Sequence, residues 1–164
     1  MFGLINIYSK SKNEVSRKLS NFYHHDFVFD GQAFSSFESF IQCLKFSDPD
    51  EQLAVASMCA KEAKENGQSR DWQTSGYLYW KGQAINRYGR EYQQLLNHAY
   101  DALCENAEFA EALRRSKGRL LIHTIGKNRR KDSVLTQIEF CRILMKKRRR
   151  LIKENRLNVN KTSR

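Results

Sequence analysis

The sequence predicts a mainly α fold, with a small N-terminal β-hairpin and other short strands; an α+β arrangement is the alternative. Three features point there. Pro49 is the single proline and glycines number only 8 in 164 residues, so few positions interrupt a helix. Apolar residues recur at three- and four-residue spacing in five separate segments. Two short runs, Phe27-Val28-Phe29 and Gln32-Ala33-Phe34, flank Asp30-Gly31, a dipeptide suited to a tight hairpin turn. The length fits one domain of the usual ~100–200 residues, and 40% hydrophobic with 12% aromatic content argues for a packed core over disorder.

Leu4–Tyr8 is a short apolar run that suits a strand, and the polar, basic stretch Ser9–Lys18 reads as a loop. Ser35 opens the first clear helix, with Ser35-x-x-Glu38 at capping-box spacing and Phe37, Phe40, Ile41 and Leu44 on one face. Asp48 as N-cap and Pro49 at the first position start a second helix that carries Leu53, Ala56, Ala60 and Ala63 and ends at Gly67. Residues Gln68–Gln83 hold Trp72, Tyr77, Tyr79 and Trp80 without a clean period and read as an aromatic connection. Further helices are expected over Tyr88–Glu105 and Ala107–Ser116, and a strand over Arg119–Ile125. The last helix starts near Asp132 or Ser133 and is lined by Leu135, Ile138, Cys141, Leu144 and Met145. Its run Lys146–Arg150 puts charge on every face and is expected to leave the core. The domain is therefore placed at residues 1–155, with 156–164 as a basic, frayed tail.

Charge narrows the partners. The net charge of +11, from 29 Lys and Arg against 18 Asp and Glu, suggests a polyanion: nucleic acid, a phosphorylated substrate or an anionic membrane. Simple solubility is the other reading. No apolar run approaches the ~20 residues of a membrane span, and Met1–Ile5 is no basic leader before a long apolar stretch. A cytoplasmic protein with no membrane partner is expected. Cys43, Cys59, Cys104 and Cys141 show neither C-x-x-C nor zinc-finger spacing and read as buried free thiols of a reducing compartment. His24, His25, His98 and His123 show no ligand spacing, so neither a metal nor another cofactor is expected. The sequence leaves the oligomeric state open.

Several constellations suit sugar and phosphate chemistry. Glu38, Gln42 and Lys45 fall at i, i+4 and i+7 and share one helix face, where they line a sugar or phosphate pocket or serve as cap and solvated helix end. Ser20, Asn21, Phe22 and Tyr23 combine small polar groups with an aromatic pair, which suits gripping a ribose and stacking a base, or an irregular turn anchored in the core. Lys18 and Lys45 are candidate amines for capturing an opened sugar as a Schiff base, or ordinary surface lysines. The segment Tyr77–Trp80 offers Trp80 to stack a purine or to pack in the core. Arg87 and Arg90 are candidate diphosphate contacts. Lys127, Arg129 and Arg130, with Lys146, Lys147 and Arg148, are candidate contacts to a nucleic-acid backbone, or solvated helix ends.

The segment Leu19-Ser20-Asn21-Phe22-Tyr23, the Asp30-Gly31 hairpin between Phe27 and Phe34, and the helix from Ser36-Phe37-Glu38 through Gln42 to Lys45-Phe46 together resemble the N-terminal signature of the NADAR, or YbiA-like, family. A weaker resemblance continues from Tyr79-Trp80 through Tyr88–Leu103 to Asn106, Phe109, Leu113 and Gly118. The resemblance implies a compact YbiA-like helical domain and N-glycosidase activity on NAD- and ADP-ribose-derived compounds. Some members cleave ribosylamine intermediates of riboflavin synthesis; others remove ADP-ribose from guanine in nucleic acid. It makes Glu38 the leading catalytic carboxylate, with Asn21, Phe22 and Gln42 as substrate contacts. Many relatives also carry an Asp followed by Trp-Gly in the C-terminal half. The matching stretch here, His123-Thr124-Ile125-Gly126-Lys127-Asn128, has no Trp-Gly. Asp132, the nearest acid, is displaced, and is either the second catalytic group or an N-cap of the last helix. The chemistry fits carboxyl groups, because breaking a ribosyl C–N bond passes through an oxocarbenium-like state that a carboxylate stabilises while an acid protonates the leaving base. The alternative is a catalytically inactive module that binds ADP-ribose or nucleic acid.

Overall fold

The computed structural model describes residues 3–162. In chain order the elements are β1 (Leu4–Asn6), α1 (Glu14–Leu19), β2 (Phe27–Phe29), β3 (Gln32–Phe34), α2 (Phe37–Cys43), α3 (Pro49–Ala56), α4 (Ala60–Gln68), β4 (Tyr77–Trp80), β5 (Gln83–Asn86), α5 (Arg90–Leu103), α6 (Ala107–Arg115), β6 (Leu120–Ile122) and α7 (Gln137–Thr162), with a 3-10 turn at Arg130–Asp132 before α7. The strands form three two-stranded sheets around a helical body, so the chain is mainly α. β1 runs parallel to β6 with Ile5 opposite Leu121. The β2–β3 hairpin places Phe27 opposite Phe34, and its turn holds Asp30 and Gly31 at φ of 50° and 78°, as a two-residue hairpin turn demands.

Several elements differ from the sequence expectation, each for a local reason. The expected loop Ser9–Lys18 contains α1. Asn13 caps it by accepting from the Ser16 N–H at 3.0 Å, and Val15 and Leu19 anchor it in the core. The aromatic connection folds into the β4–β5 hairpin around Lys81-Gly82. Lys81 takes φ 47°, and the buried side chain of Gln52 accepts its N–H and donates to the Tyr79 carbonyl. The helix expected from Asp48 to Gly67 is two helices. Ser35 and Ser39 both donate to the Met58 carbonyl, which turns the chain out of α3, and the Glu62 carboxylate then accepts the Cys59 N–H at the start of α4. Gly67 lies inside α4 rather than at its end. The N-cap of α2 is Ser36, not Ser35, so Glu38 closes no capping box.

The last helix begins at Gln137, after a reciprocal cap in which Glu139 accepts the Thr136 N–H and Thr136 accepts the Glu139 N–H. Asp132 is therefore not its N-cap; it sits in the 3-10 turn against Arg129 at 2.6 Å. Helix α7 continues past residue 155 to Thr162, and residues 163 and 164 of the expected tail, like Met1 and Phe2, lie outside the described residues. The run Lys146–Arg150 does not leave the core. Lys147 is only 4% exposed, its ammonium 2.7 Å from Asp101, and Leu151 beyond it is buried. Cys43, Cys104 and Cys141 are buried, but Cys59 is exposed. Among the described residues no three His, Cys, Asp or Glu side chains group as a metal would need, and no helix is long and apolar enough to cross a membrane.

The buried apolar residues form one continuous core. Phe27, Phe29, Phe34, Phe37, Phe40 and Trp80 form a chain of ring contacts under the first hairpin. Phe37 stacks on Tyr100 of α5 with ring centres 3.7 Å apart, tying that cluster to Tyr92, Leu96 and Leu144. Arg87, at the turn into α5, is fully buried, and its guanidinium donates twice to Glu139, at 3.1 and 2.7 Å. Burial alone would raise the Glu139 pKa, but Arg87 and the Thr136 N–H hold it down to about 2. Removing one member of such a pair strands a buried charge, so Arg87→Ala is expected to cost ~3–5 kcal/mol in a urea unfolding curve. A loss under ~1 kcal/mol would show that the pair is dispensable to the fold.

Candidate active site

A cleft of about 490 Å³ opens between α2, the Ser20–Phe22 turn, α4 and two segments of the C-terminal half, residues 123–127 and 132–135. Helix α2 supplies Glu38, Gln42 and Lys45 to it, as their shared helix face requires. Glu38 sits at 6% exposure and its carboxyl accepts from the Gln42 amide at 2.7 Å. Its backbone N–H donates to the Asn21 carbonyl at 3.0 Å, which fixes the turn against the first turn of α2. The Asn21 side-chain oxygen accepts from the Tyr100 hydroxyl at 2.8 Å, leaving the amide nitrogen without a partner among the described residues. Ser20 is buried and its hydroxyl accepts the Phe22 N–H.

Burial controls the titration of the cleft. Desolvation pushes the Glu38 carboxyl above the usual carboxylate range, against weaker opposing pulls from Gln42, Lys64 and Lys45. Desolvation also lowers the Lys45 ammonium below an ordinary lysine, with Glu38 opposing. Lys45 donates to the Gly67 carbonyl at 3.3 Å. Lys64 approaches the face of Phe22 at 4.9 Å.

The cleft also gathers Lys127 and Asp132, with Ser133, Val134 and Leu135 on its far wall. His123 joins them. Its Nδ1 lies 2.8 Å from the Ile7 carbonyl, which only accepts, so Nδ1 is the donor in this bond and Nε2 faces away from it. His123, Lys64 and Trp72 escaped the sequence reading. The helical spacing of Lys64 on α4 relative to the apolar Ala60 and Ala63 held a usable signal, and His123 opens the stretch that lines up with the family's C-terminal segment; Trp72 lies in irregular chain with none.

Other expected site residues are elsewhere. Lys18 is clasped by Glu14 at 2.6 Å and Glu108 at 2.9 Å, which raise its pKa to about 12, the wrong direction for an amine nucleophile. Tyr23 turns away and packs at a tilt against His25. Trp80 packs on Phe29 and Phe40 and donates to Asp30. Arg87 is spent on Glu139 inside the core, and Arg90 is exposed outside the cleft. Arg129 and Arg130 pair with Asp132 and Glu139. Lys146 is exposed away from the cleft, while Lys147 and Arg148 are held by Asp101 and by the Ser116 and Arg119 carbonyls.

Taken together, the helical body with its small hairpins and the Glu38 cleft define a YbiA-like domain. The NMR structure of the Escherichia coli protein YbiA superposes with a TM-score of 0.66 at 20% identity, covering 94% of this chain and 88% of that one. The model of the bacteriophage protein GP30.3 family matches residues 13–149, and the chain belongs to that NADAR-type family. A 17.1 kDa protein of Enterobacteria phage T4, from the Gp30–rIII intergenic region, is 35% identical over 129 residues, 77% of this chain and 85% of its own length.

Two variants test the cleft's construction. A Cβ at Gly67 would overlap the Gln42 side chain, whose Cδ and Cβ would lie at 3.0 and 3.3 Å, so Gly67→Ala must displace Gln42, the partner of Glu38. Its unfolding midpoint in urea is expected to fall by the equivalent of ~1–3 kcal/mol, and an unchanged midpoint would show that Gln42 moves freely. Glu38→Gln is expected to behave in the opposite way. A carboxyl whose folded pKa is raised holds its proton more tightly when folded, so its ionisation destabilises the fold above that pKa and has no effect below the unfolded value of 4.5. The variant should melt higher than wild type at pH 8 and equally at pH 4; a lower melting point at pH 8 would contradict the desolvation of Glu38.

Proposed function

We propose that this chain is an N-glycosidase that cleaves the glycosidic C–N bond of an ADP-ribose-type substrate, removing ADP-ribose from guanine in nucleic acid without a cofactor. The observation that carries the reading is the meeting of Glu38 and Asn21 in one concave cleft, with the Glu38 carboxyl desolvated. A basic helical protein unrelated to this chemistry would have no reason to bury an acid beside an open pocket. Membership of a NADAR-type family supports a glycosidase-type activity in general terms.

Within this reading a protonated Glu38 donates its proton to the leaving base as the C–N bond breaks, and the resulting carboxylate stabilises the positive charge on the sugar and orients water. Asn21 contacts the ribose and Phe22 stacks a ring. Lys45, whose ammonium is weakened by burial, and Lys64 face the phosphates. Lys45 also offers a desolvated amine within the cleft for capture of an opened sugar. Asp132, which lines the cleft but is paired with Arg129, is the candidate second carboxyl. The protein works in the cytoplasm in this account. The absence of Trp-Gly near residues 123–128 favours one competing reading, a module that binds ADP-ribose without turnover.

The test is mass-spectrometric detection of ADP-ribose released from DNA carrying ADP-ribosylated guanine. Wild type is expected to release it, and Glu38→Gln to lose at least ~100-fold in rate while folding normally. Equal rates would remove Glu38 from the mechanism. No release from wild type, with retained affinity for ADP-ribose, would leave the binding module standing; release only from free ribosylamines would make the substrate a small metabolite.

A further inference from the structure

The fold divides the cations of α7 between residues 142 and 156 into two sets; Lys161, in the last turn, belongs to neither. Lys147, Arg148 and Arg150 are engaged inward, the first and last with Asp101 and the second with the Ser116 and Arg119 carbonyls. Arg142, Lys146, Arg149, Lys153 and Arg156 remain exposed, and no acid among the described residues lies within ion-pair distance of any of them. They recur at i, i+4, i+7, i+11 and i+14. At about 100° per residue this confines them to an arc of roughly 80° on the outer face.

We propose that this stripe is a phosphodiester-tracking surface that lays a nucleic-acid strand along α7 and leads it to the Glu38 cleft. The stripe is about 21 Å long at the helical rise, with cations about 5 Å apart, close enough to serve successive phosphates of one strand. It is also continuous with the cleft. A shallow groove of about 290 Å³ between β6 and α7 contains Arg142 and Met145 and shares His123 with the main cleft. Ile138 lies 58% exposed along the same groove and gives a sugar or base edge an apolar rest. A helix that seeks lipid needs a broad free apolar face. Most of the apolar face of α7 is already used, because Cys141, Ile143, Leu144 and Leu151 are buried; the exposed Ile138, Leu157 and Val159 lie too far apart along the helix to make one broad apolar face. The inference rests on the proposed reading for the chemistry at Glu38, but it concerns binding alone.

Fluorescence anisotropy with a labelled 20-base-pair duplex of unmodified DNA, read across a salt series, tests it. Arg149→Ala/Lys153→Ala is expected to weaken binding at least ~10-fold and to reduce the slope of log affinity against log salt by about 2. Lys61→Ala/Lys117→Ala removes the same charge from elsewhere on the surface and is expected to change neither. Equal losses from both pairs would reduce the effect to net charge and overturn the assignment. So would a wild type that ignores duplex DNA, or one whose Arg149 and Lys153 serve binding to phosphatidylserine vesicles instead. Stripe-dependent binding without release of ADP-ribose would instead refute the glycosidase reading and leave the surface intact.

Discussion

The cleft's far wall depends on the Arg87–Glu139 pair. Arg87 donates through Nε to the Ser133 carbonyl while its other nitrogens hold Glu139. Tyr92 lies under the guanidinium at 4.8 Å and donates its hydroxyl to the Val134 carbonyl. Glu139 also accepts from Thr136 and Gln93. Residues 133–135 therefore hang from a buried ionic centre rather than from a strand or helix of their own. Two charges taken out of water cost several kcal/mol each before they attract one another. What this centre returns is placement: an irregular segment is held against the start of α7 at a fixed distance from α2, and the opening between them is the cleft.

The near wall is built on a different principle. Glu38 is kept from water because α2 packs closely on α4 across Gly67, where there is no room for a Cβ. That contact costs stability twice, once through the glycine in a helix and once through the desolvated carboxyl. Such costs suit a site whose chemistry needs a proton held above its ordinary pKa. Lys18 and Lys45 make the contrast plain. They are the same residue type within one small domain, yet two carboxylates raise one and desolvation lowers the other.

The sequence disclosed what local rules govern. The Asp30-Gly31 hairpin, the face shared by Glu38, Gln42 and Lys45, and helices α5 and α6 all follow from spacing and turn chemistry within a dozen residues. What escaped it depends on distant partners. Nothing near Ser57 says that Ser35 and Ser39 will seize the Met58 carbonyl and break the helix. Nothing near Lys81 says that Gln52 will reach from α3 to support a turn that lysine rarely makes. Arg87 and Arg90 look alike as phosphate ligands until one acquires Glu139, 52 residues away. Charged residues are read as surface by default, and that default failed where a long-range partner took them inside.

The segment that departs from the family pattern illustrates the same dependence. Residues 123–128 lack Trp-Gly, yet they still form part of the cleft, because His123 is tied to the Ile7 carbonyl and Gln137 donates to the Gly126 carbonyl. A side chain at Gly126 would meet the His123 ring at 2.7 Å and Gln137 at 2.9 Å, so backbone, imidazole and helix start are pressed together without slack. The ring orientation that results is set from outside the cleft, by the carbonyl of Ile7 just after β1, to which Nδ1 donates. In this chain a glycine and a histidine oriented from behind occupy that stretch of the wall.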